Sequence, residues 1–128
     1  MTRVVTIEKT GEPEVLKVSN IKLAKPGPEE VLIEHKAIGL NYIDTYHRSG
    51  LYPLKLPSGL GAEASGIIKE VGSQVKDFTV GDRVCYAGAP LGSYSSERNY
   101  PIKNLVKIPK EIDFEIAATL MTKGLTTF

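Results

Sequence analysis

Cysteine occurs once in this 128-residue sequence, at Cys85, and histidine twice, at His35 and His47. A single thiol excludes an internal disulfide and any multi-thiolate zinc site. Val84 and Tyr86 flank Cys85, which marks it as a strand residue and a structural thiol, with Arg83 its one adjacent cation. Neither histidine has a second histidine or a cysteine at ligand spacing, so His35 is expected to be a hydrogen-bonded sheet residue and both to be non-catalytic. The net charge is +1 and no block of like charges occurs. That removes the electrostatic footprint of a nucleic-acid or anionic-membrane binder. No apolar run approaches bilayer length, and the opening Met-Thr-Arg-Val-Val-Thr-Ile-Glu holds no stretch of signal-peptide length. The cytoplasm is the expected location.

Several catalytic signatures are missing too. There is no Gly-x-Ser-x-Gly elbow, no Cys/His pair, no His-Glu-x-x-His and no Gly-x-Gly-x-x-Gly. Gly59-Leu60-Gly61-Ala62-Glu63 opens with a phosphate loop's glycine spacing but then places a carboxylate where a phosphate would be repelled. It is read as a backbone turn.

What is present is an ordinary soluble composition, 41% apolar and 24% charged. A chain of this length is expected to form one domain, 1–128, and to bury roughly two-thirds of its unfolded surface. Short β-branched runs at 4–8 and 15–18 flank a turn, and Lys25-Pro26-Gly27-Pro28 is a strong break. From Val31 the chain alternates: Val31, Ile33, His35 and Ala37 share one face, and Leu32, Glu34, Lys36 and Ile38 the other. Asn41 caps an expected helix over 42–48 that stops at Gly50. The prolines at 53 and 57 make 51–58 a loop. Further strands are expected at 64–71, 83–86, 94–102 and 105–108. Asp113 caps a second helix, 114–121, ended by Lys123-Gly124. Many short strands with two brief helices indicate a mainly-β barrel or sandwich. The stop on Phe128, just past a helix cap, reads as the first part of a longer protein.

The chemistry concentrates between Asn41 and Gly66, where Asn41, Tyr46, Tyr52 and Glu63 gather polar groups between two strands. From these residues alone two readings stand. A capping asparagine, packing tyrosines and a turn carboxylate outweigh a catalytic cluster, which stays open.

Lys36 to Pro53, which includes Asn-Tyr-Ile-Asp-Thr-Tyr-His-Arg-Ser-Gly-Leu-Tyr-Pro, resembles the matching run of bacterial NADPH:quinone oxidoreductases. Gly-Glu-Pro-Glu-Val-Leu (11–16), Pro-Ser-Gly-Leu-Gly-Ala-Glu-Ala-Ser-Gly-Ile (57–67), Val-Gly-Asp-Arg-Val (80–84) and Lys-Gly-Leu-Thr (123–126) resemble the same proteins in the same order. They form the zinc-independent, ζ-crystallin-like branch of the medium-chain dehydrogenase/reductase superfamily. The resemblance covers essentially the whole chain.

It implies a GroES-like, partly open β-barrel that is the catalytic domain of an enzyme whose nucleotide-binding Rossmann half is not in this sequence. It implies NADP as cofactor of the complete enzyme, not expected to bind this chain alone, and a quinone as hydride acceptor. Zinc-dependent relatives place a cysteine near 41–44 and a histidine at the position of Ala62; neither is here, so no zinc is expected. By the same resemblance Asn41, Tyr42, Ile43, Asp44, Thr45 and Tyr46 line the nicotinamide end of the cofactor, together with Thr126. Tyr52 lies at the mouth of the substrate cleft, Tyr46 and Tyr52 are the catalytic candidates, and Glu63 is structural. A separate nucleotide-binding polypeptide is one expected partner. A homodimer through an uncovered apolar face near 116–128 is another. The alternative is a stand-alone barrel serving as an interaction module without redox activity.

Overall fold

The computed structural model describes the backbone of residues 1–127 and the side chains of residues 1–120. Two antiparallel sheets make up most of it. β1 (Thr2–Ile7) pairs on one side with β2 (Lys17–Ile21), Thr2 opposite Ile21, and on the other with β4 (Ser58–Gly59). The larger sheet has the order β7-β3-β5-β6-β8, from β3 (Glu30–Ile38), β5 (Glu63–Val71), β6 (Arg83–Ala87), β7 (Glu97–Pro101) and β8 (Val106–Lys107). Helix α1 (Tyr42–Ser49) follows β3, and α2 (Phe114–Thr127) follows β8.

The segment 93–96 ties the sheets together. Val5 N–H donates to Tyr94 O at 2.9 Å, Ser96 N–H to Arg3 O at 2.9 Å, and His35 N–H to Ser96 O at 3.0 Å. Neither sheet closes on itself. The result is the mainly-β architecture that the strand pattern predicts, partly open as the resemblance implies.

The alternation of β3 appears as predicted. Val31 and Ile33 are fully buried among Ile68, Val84, Tyr86 and Tyr100, while Glu34 faces out between Lys36 at 2.7 Å and Lys69 at 3.8 Å. His35 sits on the inner face, its Nδ1 at 2.8 Å from Ser95 O.

Four boundaries differ from expectation. The strand expected over 15–18 starts later, at Lys17: Pro13–Val15 forms one 3-10 turn, in which Leu16 N–H donates to Pro13 O at 3.1 Å. Proline suits the start of such a turn, having no N–H to satisfy and a fixed φ. β2 then starts at Lys17, exposed along its whole length, so the period-two burial that marks a strand never arises. The strand expected over 94–102 contracts to Glu97–Pro101, because 93–96 spends its backbone bridging the sheets. The one expected over 105–108 contracts to Val106–Lys107. Finally, α2 runs through Gly124 to Thr127 and is not ended by it. A helix-interior glycine costs only about 1 kcal/mol relative to alanine, which tertiary context overrides.

α2 is fastened at its start. Ser65 Oγ donates to Phe114 O at 2.6 Å, and Arg83 donates to Pro109 O at 2.8 Å and Ile112 O at 2.7 Å while lying over the Phe114 ring. Ala117 and Ala118 of the helix are buried.

Candidate functional site

The site is built around α1. Asn41 leaves β3 with extended backbone (φ −131°, ψ 152°) and turns the chain into the helix. Its N–H donates to Asp44 Oδ2 at 3.1 Å, while Asp44 N–H donates to Asn41 O at 3.0 Å. A carboxylate three residues into a helix satisfies an orphan donor and complements the positive end of the helix dipole. The Asn41 side chain reaches sideways, Nδ2 donating to Glu63 Oε1 at 3.0 Å. Glu63, at the start of β5, is fully buried, and its backbone oxygen accepts Gly39 N–H at 2.8 Å.

Asp44 is itself buried and takes a second donor, the Tyr94 hydroxyl, on the same Oδ2; its Oδ1 is buried without a partner. Burial first, and then the adjoining Asp44 carboxylate as acceptor and charge, hold the Tyr94 phenol far above the ordinary tyrosine range. Tyr94 therefore keeps its proton and remains the donor.

Other residues of α1 turn outward. Tyr42 is 82% exposed and Ile43 36%, beside Leu40 at 71%. Thr45 is exposed, its Oγ1 donating back to Tyr42 O at 2.6 Å. An open groove of about 360 Å³ runs beside this turn, lined by Arg3, Val5, Ile38, Leu40, Tyr94 and Ser95.

At the other end Gly50 (φ 92°) takes the left-handed conformation that ends the helix, as predicted. Gly50 N–H and Tyr52 N–H both donate to Tyr46 O, at 3.1 and 3.2 Å, which folds Tyr52 back over the helix. The Tyr46 and Tyr52 rings meet edge to face, centroids 5.3 Å apart, with His47 6.1 Å from Tyr52 on its other side. Among the described residues no hydrogen bond engages the Tyr46 or Tyr52 hydroxyl, so both are available to a ligand. Arg48 anchors this end, its Nε donating to Gly11 O at 3.2 Å.

The structure thus brings together two groups of the predicted residues. Tyr46 and Tyr52 form an aromatic pair; Asn41 and Asp44 form a buried polar node. Tyr42, Ile43 and Thr45 lie on the exposed side between them. The Thr126 side chain lies outside the described residues. Glu63 holds the Asn41 turn by hydrogen bonding, as the sequence reading anticipated. Tyr94 was missed. It is 50 residues from Asp44, and nothing in Gly92-Ser93-Tyr94-Ser95 marks it as anything but a strand residue.

Among the described residues no three of His, Cys, Asp and Glu stand close enough to hold a metal ion. An exposed aromatic and aliphatic turn flanked by phenols suits a flat, conjugated ring such as a nicotinamide. No cluster of arginine or lysine lies on this turn to meet a pyrophosphate.

Residues 27–110 match the family described as alcohol dehydrogenase GroES-like domain. The chain is 56% identical over 118 residues to a quinone oxidoreductase of Pseudomonas aeruginosa, covering 91% of this chain and 36% of that protein. It superposes on the crystal structure of Pseudomonas syringae quinone oxidoreductase with a TM-score of 0.94 at 51% identity, covering 98% of this chain and 39% of that one. The Escherichia coli quinone oxidoreductase complexed with NADPH gives 0.93 at 50% identity, covering 98% and 39%. The chain therefore spans well under half the length of the proteins it matches. It belongs to the alcohol dehydrogenase GroES-like domain family, with quinone oxidoreductases as its close relatives.

Proposed function

We propose that this chain supplies the catalytic-domain wall of a zinc-independent NADPH:quinone oxidoreductase. The observation that carries the reading is the exposure of Leu40, Tyr42 and Ile43 where the chain enters α1, together with the unengaged hydroxyls of the Tyr46–Tyr52 pair at the helix's other end. A flat apolar surface next to unengaged phenols serves two reacting rings better than it serves solvent.

The bound cofactor supplies a hydride, and the quinone takes that hydride and a proton to become a hydroquinone. Tyr42, Ile43 and Thr45 form the surface against which the nicotinamide rests. Holding two reactants in near-attack geometry is itself a large part of catalysis. Tyr46 and Tyr52 donate hydrogen bonds to the oxygen on which charge develops. A phenol with an unperturbed pKa of ~10 is a weak acid at neutral pH, so solvent delivers the proton.

The chain alone is inactive in this reading, since it holds no glycine fingerprint for a pyrophosphate. Calorimetry of the chain with NADPH is expected to give no binding heat, and the chain linked to a nucleotide-binding half is expected to reduce quinones. Micromolar NADPH affinity in the chain alone, or redox inertness of the longer protein, overturns the proposal.

A further inference from the structure

We propose that Glu63 and Tyr94 are positioning residues of this site, which fix where α1 presents its outer face. The inference rests on the reading above for its consequence in catalysis, though not for its geometry. Each side chain holds one member of the capping pair: Glu63 takes the Asn41 amide at 3.0 Å, and Tyr94 donates to Asp44, whose carboxylate in turn holds the Asn41 N–H at 3.1 Å. The four residues come from three parts of the fold: Glu63 from β5, Tyr94 from the 93–96 bridge, and Asn41 and Asp44 from the start of α1. The helix start is therefore pinned to both sheets.

A helix cap alone does not require this. An exposed Ser, Thr, Asn or Asp caps well from solvent, whereas here two carboxylates are taken out of water, Glu63 fully and Asp44 to 4% exposure. Burying carboxylates is costly unless each is hydrogen-bonded, and Asp44 Oδ1 is left without a partner. Helix stability is thus a poor explanation for the arrangement, and fixed placement of the helix a good one.

The glycine run that resembled a phosphate loop belongs to the same device. Gly61 has φ +92°, and a Cβ there would overlap the Ser93 hydroxyl and come within 2.5 Å of the Tyr94 ring. The missing side chain is what lets Tyr94 lie where its hydroxyl meets Asp44. Two residues on, Glu63 takes Asn41. Gly-Ala-Glu at 61–63 thus serves both arms of the clamp.

Two arms test this. In the 128-residue chain, amide hydrogen exchange of 42–46 is measured for wild type, Tyr94→Phe and Glu63→Gln. Each variant is expected to exchange about tenfold faster in α1 with Ile33 and Ile68 unchanged, the signature of local opening. Glu63→Gln also moves the Asn41 side-chain amide resonance upfield, since a charge-assisted bond is replaced by a neutral one. Unchanged α1 exchange in both variants overturns the proposal.

In the chain linked to a nucleotide-binding half, both variants are expected to lower kcat about tenfold while the cofactor KM stays within about twofold, because ring placement is lost more than binding. The isotope effect with deuterated reduced nicotinamide rises, which a mere loss of folded enzyme does not produce. An unchanged isotope effect with wild-type kcat overturns the catalytic consequence. If the longer wild-type protein reduces no quinone, the proposed function falls while the exchange arm still decides the clamp.

Discussion

The hydroxyl of Tyr86 and the Nε2 of His35 lie 2.9 Å apart in the core of the larger sheet. The other ring nitrogen settles the direction of this bond. Nδ1 is 2.8 Å from the Ser95 carbonyl, which only accepts, so Nδ1 carries the proton and Nε2 accepts from Tyr86. His35 is thus neutral, its pKa lowered to about 4, chiefly by burial and further by Arg98; the Ser95 bond and Glu97 oppose the shift.

Stability should therefore depend on pH in a defined window. Between about pH 4 and 6.5 the unfolded chain holds the proton on residue 35 and the folded chain does not. Stability then rises with pH by at most roughly 1.4 kcal/mol per unit, a total near 3 kcal/mol from this group. His35→Gln can still donate to Ser95 and accept from Tyr86, and should flatten the curve. Denaturant titrations at pH 4.5 and 7 check this; an equal pH slope in the variant refutes it.

Tyr46→Phe and Tyr52→Phe, made in the chain linked to a nucleotide-binding half, test the unengaged phenols. Each should lower kcat/KM for a quinone by roughly tenfold, the loss of one hydrogen bond to the developing oxyanion, without altering the melting temperature. An intact kcat/KM in Tyr52→Phe removes that residue from the mechanism.

Glycines 66 and 81 should behave differently. A Cβ on Gly66 overlaps the Glu34 carbonyl across the β3–β5 ladder, where backbone cannot yield. Gly66→Ala should cost more than about 2 kcal/mol. Gly81 has φ +96° with nothing within 4 Å, so Gly81→Ala carries only conformational strain of about 1 kcal/mol. Chemical denaturation of both variants measures the gap.

The Cys85 thiol is 6% exposed, and burial, reinforced by the charge of Glu63, pushes its pKa up. It should react with a thiol reagent only in denaturant, at least a hundredfold slower when native, consistent with a structural role. Rapid labelling of the native chain would contradict that.

What the sequence disclosed was local. The alternation of Val31 to Ile38 and the span from Asn41 to Gly50 are short-range signals, and both appear as read. β2 was misplaced because its five residues are all exposed and owe their strand conformation to pairing with β1. The aromatic pair at Tyr46 and Tyr52 was legible as two nearby phenols. The clamp was legible only in part: Glu63 was read as a hydrogen-bonded anchor, yet Tyr94 and Asp44 meet across 50 residues, a distance no spacing rule reaches. The chemistry itself entered through resemblance, because no catalytic device is spelled out in a contiguous motif here.

Gly39 is wedged where β3 gives way to the Asn41 turn. A Cβ on it would strike the Ala118 carbonyl of α2 and sit 3.0 Å from Glu63 Oε1. With so little clearance, α2 cannot move toward the Asn41 turn without displacing it. On the proposed function, the second helix backs the turn that carries the cofactor-facing residues, and a change in its position is expected to reach that turn through Gly39.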